Sequence, residues 1–276
     1  MVKDSHSKLE IALIGCGKMG GAMLRGWIKA GILGHAHVME PSALPSDLNR
    51  PDISAYSDAA AFSKAKPRMD VCVLAVKPQI MEDVCLSMRD AVPQDALLLS
   101  VAAGRTIISF EKIFGTGRPI VRTVPNTPAA IGRSMTVAVA NRNVSPLQRK
   151  QSNLILESIG LVEWVDDEEL INAATAVSSS SPAFFYLLVE TLAKAGEKHG
   201  LAPELSMKLA RQTLIGCAAL ADHDAGTSAE QLRKNVTSPN GTTQAALNVL
   251  MGNPGLAELM DQAVTACVNR ARELSR

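Results

Sequence analysis

Short apolar runs alternate with longer amphipathic stretches through the first half of the chain. Leu9–Ile14, His37–Glu40, Ile53–Tyr56, Val71–Val76, Leu97–Val101, Ile120–Val124 and Thr136–Ala140 read as strands. Met19–Ala30, Gln79–Met88 and Thr106–Phe114 read as helices. Alternating strand and helix predicts a parallel sheet covered on both faces. Val71–Val76 contains no polar residue, which suits a strand buried on both sides.

The pattern changes near residue 145. Ser145-Pro146-Leu147-Gln148 combines a Ser cap, Pro at the first helical position and Gln three residues after the cap, so a helix starts there and runs to Gly160. Leu161–Val165 closes the sheet. From Asp166 onward the long segments are helical: Pro182–His199, Pro203–Leu220, Ser228–Asn235, Thr242–Met251 and Leu256–Leu274. The fold class is therefore α/β for residues 1–165, followed by an all-α domain over 166–276. Helices 182–199 and 203–220 are apolar around much of their circumference, so they need a partner surface. A second copy of the chain is the simplest one.

Composition narrows the function classes. The AVILMFWYC set is 47% and the charged residues 20%, which supplies a core. A net charge of +1 without a basic block argues against nucleic acid or an anionic membrane as partner, and 3% aromatics argues against base stacking. Five cysteines without a CxxC pair predict no disulfide framework and no metal site, and a reducing, cytoplasmic setting. The polar start MVKDSHSKLE has no apolar core of a secretory signal, and no apolar run approaches the roughly 18 residues of a membrane span.

Gly15-Cys16-Gly17-Lys18-Met19-Gly20 matches GxGxxG between a strand and a helix. That context favours dinucleotide binding over an ordinary turn: Gly15 allows the turn, Gly17 the approach of a pyrophosphate, and Gly20 close helix packing. Glu40, 20 residues after Gly20, stands where a carboxylate accepts from ribose hydroxyls and repels a 2′-phosphate, or simply ends a strand in solvent. Ser42 is an alternative phosphate donor, so NADH and NADPH both stay open. Ala75-Val76-Lys77-Pro78 and Ser100-Val101-Ala102-Ala103-Gly104 end strands and are placed to line the cofactor cleft, with Lys77 either at the cofactor or on the surface. Asn126, in Val124-Pro125-Asn126-Thr127-Pro128, offers donors and acceptors beside that cleft. In Val236–Thr243, the N–H groups of Gly241, Thr242 and Thr243 open a helix and suit a carboxylate, although on this segment alone an ordinary Thr cap is the favoured reading.

Together these segments resemble the pyrroline-5-carboxylate reductase family. The matching stretches are IGCGKMGGAM (14–23), LAVKPQ (74–79), SVAAG (100–104), VPNTPA (124–129), SSSSPAFFY (178–186) and VTSPNGTTQAAL (236–247). The resemblance implies a Rossmann-type domain and an all-α dimerisation domain, built into a homodimer or a larger ring of dimers. It also implies NADPH- or NADH-dependent reduction of pyrroline-5-carboxylate to L-proline, the final step of proline biosynthesis. Thr243 is then the catalytic hydroxyl at the ring nitrogen. Asn240, Gly241, Thr242 and Ser180 complete the substrate site. Ser179, Ser181 and Asn240 stand where the family usually carries glycine. Two other readings differ in class. One is a related dehydrogenase acting on another small acid, with Lys194 as its lysine; the other is a non-catalytic dinucleotide-binding regulatory protein.

Overall fold

The computed structural model describes residues 8–275. Its sheet has eight strands: β1 (Leu9–Ile14), β2 (Leu33–Met39), β3 (Ile53–Tyr56), β4 (Val71–Leu74), β5 (Leu97–Ser100), β6 (Ile120–Val124), β7 (Ser134–Ala140) and β8 (Gly160–Trp164). They lie in the order β3-β2-β1-β4-β5-β6-β7-β8. Pairing is parallel except between β6 and β7. The first six strands reproduce the 3-2-1-4-5-6 order of dinucleotide-binding sheets. The reversal of direction lies at β1 and β4, so the ends of these two strands open a crevice.

Alternation along each strand divides the core. Ile11, Leu13, Val71, Val73, Leu97, Leu99 and Val121 face one side. There they meet α1 (Lys18–Ala30), through Met23, Leu24 and Trp27, and α5 (Pro146–Glu157), through Ile155 and Leu156. Ala12, Ile14, Cys72, Leu74, Leu98, Ile120 and Val124 face the other side. They are covered by Phe62 of α2 (Ala59–Ala65), Met81, Cys85 and Met88 of α3 (Met81–Met88), and Phe110 of α4 (Ile107–Phe114). The helix α2 is absent from the sequence reading. It has seven residues and buries only Phe62, so no apolar stripe marks it.

The chain divides into two compact units. The first runs to Ser180 and takes in Cys267 onward; the second is Ser181–Ala266. The sheet stops at Trp164, and α6 (Leu170–Ala174) then buries Ile171 in the same core as α4. A π-helical turn, Thr175–Ser179, follows it within the first unit. The second unit contains α7 (Pro182–Lys198), α8 (Pro203–His223), α9 (Ala229–Asn235), α10 (Thr242–Leu250) and the first part of α11 (Leu256–Leu274). Small residues bring α7 and α8 together. Ala193, Ser206 and Ala210 are buried, and the Ser206 hydroxyl donates to the Ala193 carbonyl at 2.6 Å.

Large apolar side chains of the second unit remain uncovered. Phe185, Leu187, Leu188 and Leu192 on α7, and Leu205, Leu209, Ile215 and Leu220 on α8, are all exposed. Isolated exposed apolar side chains are ordinary, but these eight on two packed helices form a surface that water disfavours. Sedimentation at working concentrations is therefore expected to show dimers or larger assemblies. A single species at the monomer mass of 29.2 kDa would contradict this.

Candidate active site

At the end of β1 the three glycines do different work. Gly15 has φ +93°, and a Cβ there would press on Val76 Cγ1 at 2.8 Å and the Val76 N–H at 3.0 Å. The β1 and β4 loops therefore touch at the crevice. A Cβ on Gly20 would run into the Gly15 carbonyl, so this glycine lets α1 pack on its own loop. Gly17 is exposed, and a Cβ there would meet nothing within 4 Å. Space beside Gly17 is thus left open by the protein itself.

Gly17 is also the N-cap of α1, and no side chain caps that helix. Unpaired first-turn N–H groups carry partial positive charge and favour an anion. A pyrophosphate fits both observations. Glu40 closes one side: its Oε2 accepts from the Cys16 N–H at 2.8 Å, and its Oε1 accepts from the Ser42 N–H at 3.2 Å. Burial, and then the Glu40 charge, push the Cys16 thiol above its ordinary pKa, so Cys16 contributes backbone rather than a nucleophile. Ala75 and Val76 are half-buried at the β4 end, Lys77 is exposed, and Pro78 opens a short 3-10 turn. After β5, Ala102 is buried, Ala103 is exposed and Gly104 takes φ +75°. Leu274, at the end of α11, lies 3.0 Å from where a Gly104 Cβ would stand.

The side-chain amide of Asn126 is held by β7 on one side and by Ser178 on the other. Its Oδ1 accepts from the Met135 N–H at 3.0 Å and the Ser134 hydroxyl at 3.2 Å. Its Nδ2 donates to Ser178 O and Ser178 Oγ, both at 3.3 Å. The amide is fully committed to protein partners.

The segment read as a carboxylate cradle lies at the start of α10. Its N-cap is Gly241, and again no side chain caps the helix. Asn240 has φ +57°, and the Gly241 N–H donates to the Ser238 carbonyl at 3.1 Å, closing a turn. That bond removes the Gly241 N–H from the expected carboxylate cradle. The first helical bond runs from the Ala245 N–H to the Gly241 carbonyl, so the first turn presents the N–H groups of Thr242, Thr243 and Gln244. Thr242 and Thr243 are both exposed.

Lys194, the lysine of the alternative dehydrogenase reading, is a surface residue paired with Glu190 at 2.6 Å, one helical turn away. The hydrogen bond to Glu190 raises its pKa further, so it stands as a fixed cation and not as a base. Among the described residues no group of three His, Cys, Asp or Glu side chains could hold a metal, and no helix is long and apolar enough to cross a membrane.

Sequence reading missed Arg122 and Glu168. Arg122 is only 2% exposed inside β6, and its Nη1 meets Glu168 Oε1 at 2.7 Å. The same oxygen accepts from the Ile107 N–H at 2.9 Å, at the start of α4. One carboxylate thus ties β6, the segment leading into α6, and the helix after the Ala102–Gly104 loop. An arginine inside the apolar strand Ile120–Val124 was the available signal.

Comparison with known proteins gives the same picture. Residues 168–274 match the family model described as pyrroline-5-carboxylate reductase dimerisation, and residues 10–104 match one described as NADP oxidoreductase, coenzyme F420-dependent. The pyrroline-5-carboxylate reductase of Pseudomonas aeruginosa is 38% identical over 96% of this chain and 97% of its own length. A pyrroline-5-carboxylate reductase structure from Coxiella burnetii is 35% identical with a TM-score of 0.88, covering 98% of this chain and 100% of that one. The Plasmodium falciparum pyrroline carboxylate reductase, solved with NADP bound, is 28% identical with a TM-score of 0.83, covering 99% of this chain and 100% of that one.

The glycine geometry separates ligand effects from folding effects. Gly17→Val is expected to keep the thermal midpoint near wild type while dinucleotide binding by titration calorimetry falls at least tenfold. Gly20→Val, blocked by the Gly15 carbonyl, is expected to lower the midpoint itself. Unchanged binding in Gly17→Val would remove this loop from the cofactor site.

Proposed function

This chain belongs to the pyrroline-5-carboxylate reductase family, and on that premise we propose that it reduces 1-pyrroline-5-carboxylate to L-proline with a reduced nicotinamide dinucleotide, as a homodimer or a ring of dimers. The observation that carries the reading is the pair of helices, α1 and α10, that each begin on glycine without a side-chain cap. One suits a pyrophosphate and the other a carboxylate, the two anions this reaction brings together.

Gly15, Gly17 and the first-turn N–H groups of Lys18, Met19 and Gly20 hold the pyrophosphate. The loops Ala75–Pro78 and Ala102–Gly104 line the nicotinamide side. When bound, the cofactor supplies a hydride to the imine carbon. The π electron pair of the C=N bond then moves to nitrogen, which takes up a proton. An imine is already electrophilic, so the chain's main task is to hold the partners in position. Thr242, Thr243 and Gln244 N–H groups grip the substrate carboxylate. The Thr243 hydroxyl, on the same helical turn, serves as hydrogen-bond partner of the ring nitrogen, and Ser180 shapes the pocket.

Glu40 sets the cofactor preference. Its carboxylate is fixed beside the loop by Cys16 and Ser42 N–H groups and would meet a 2′-phosphate with like charge. Wild type is expected to favour NADH in kcat/KM. Glu40→Gln keeps an acceptor for the Cys16 N–H but removes the charge, and should shift the NADPH/NADH ratio upward about tenfold. A wild type that strongly favours NADPH would overturn this role.

Thr243→Ala removes the hydroxyl and leaves the N–H cradle. A hydrogen bond that strengthens as charge reaches nitrogen costs kcat more than KM. Loss of kcat by about 5- to 150-fold with pyrroline-5-carboxylate is expected. Full activity in Thr243→Ala would reduce the loop to a carboxylate cradle. Absence of turnover in the wild type would refute the assigned reaction.

A further inference from the structure

Four consecutive serines, 178–181, follow α6, and the hydroxyls of Ser178, Ser179 and Ser180 engage specific groups. The Ser178 hydroxyl donates to the Met135 carbonyl at 3.1 Å and accepts from Asn126 Nδ2. The Ser179 hydroxyl donates to the Pro125 carbonyl at 3.1 Å. Ser180 Oγ accepts from the Cys267 thiol at 3.3 Å. The backbone here is a π turn, in which the Ser180 N–H reaches back to the Thr175 carbonyl at 2.8 Å. Such widened turns are uncommon and recur at functional sites, where they re-aim side chains.

The partners of the serines are themselves rigid. Pro125 is buried and lies directly after β6. Asn126 is held at its carbonyl end by β7 and at its amino end by Ser178, so its amide cannot rotate without losing both sets of bonds. Ser178 and Ser179 are therefore fastened to adjacent residues of one stiff loop, and Ser180 is the next residue along. An alanine or glycine at 179 would leave the Pro125 carbonyl without this donor.

We propose that Ser179 and Asn126 are positioning residues that fix the floor of the substrate pocket at Ser180 and so restrict the size of cyclic imine accepted. The proposal rests on the reading that Ser180 lines that pocket. The Ser179 bond prevents the floor from receding, which disfavours a six-membered cyclic imine carboxylate relative to the five-membered one. Neither residue touches the reacting atoms, and the effect falls on imine fit rather than on cofactor affinity.

The test compares kcat/KM for pyrroline-5-carboxylate and for 1-piperideine-6-carboxylate in wild type, Ser179→Ala and Ser180→Ala, with the dinucleotide KM measured in each. Ser179→Ala is expected to raise the six-to-five-membered ratio about fivefold, the worth of one ordinary hydrogen bond, and to leave the dinucleotide KM unchanged. Asn126→Asp places carboxylate oxygens against Ser178 O and should raise the imine KM further. Because that variant risks misfolding, the decision rests on Ser179→Ala. An unchanged ratio in Ser179→Ala, with an altered imine KM in Ser180→Ala, would overturn the tether. If both variants match wild type while wild type reduces the imine, the pocket lies elsewhere and the proposal falls with it.

Discussion

Backbone N–H groups in the first turn of a helix have no partner within the helix, and something outside it must accept their hydrogen bonds. Several helices here provide an acceptor of their own: Asp58 caps α2, Thr106 caps α4, Ser145 caps α5 and Ser228 caps α9. The helices α1 and α10 start on Gly17 and Gly241 and have no such side chain. At Gly241 a Cβ would press on the Ser238 hydroxyl, which would have to turn aside to admit it. At Gly17 the protein has room for a side chain, and nothing of the chain lies within 4 Å of where a Cβ would stand. Both helices therefore leave first-turn N–H groups without a side-chain acceptor from their own N-cap residue.

A second device organises the C-terminal end of β6 within the sheet unit. β6 carries Arg122, Thr123 and the approach to Asn126, and each makes a polar contact to a different element. Arg122 is the costly member. A guanidinium inside a sheet is tolerated only when paired, and removing one partner of such a pair leaves a buried charge. The Arg122 Nε and the Asn172 Oδ1 are buried without a hydrogen-bond partner in the structure.

Much of this was legible beforehand because it rests on periodicity and on glycine. β1, β3 and β6 occupy the residues expected from their apolar runs, and the Ser145 capping box forms with both of its hydrogen bonds. What escaped was short or non-local. β2 begins at Leu33, four residues before its expected start, because half-buried His35 and His37 obscure the apolar pattern. The helix α6 has only five residues, and the π turn has no sequence signature. The bonds that hold the Asn126 amide were not legible, because its partner Ser178 lies 52 residues away. The engagement of the Gly241 N–H follows from Asn240 taking φ +57°, a choice between turn geometries that the residue types alone leave open.

The path of α11 has a consequence for biosynthesis. The sheet unit is not continuous in sequence: Cys267 and the residues after it belong with the strands, and Leu274 rests against Gly104. A ribosome makes Ser181–Ala266 between the two parts. The nascent sheet can gather its eight strands early, yet the Ala102–Gly104 loop gains its Leu274 neighbour only after the whole helical unit has been synthesised. Completion of that loop is thereby delayed until α7 and α8, with their exposed apolar side chains, already exist.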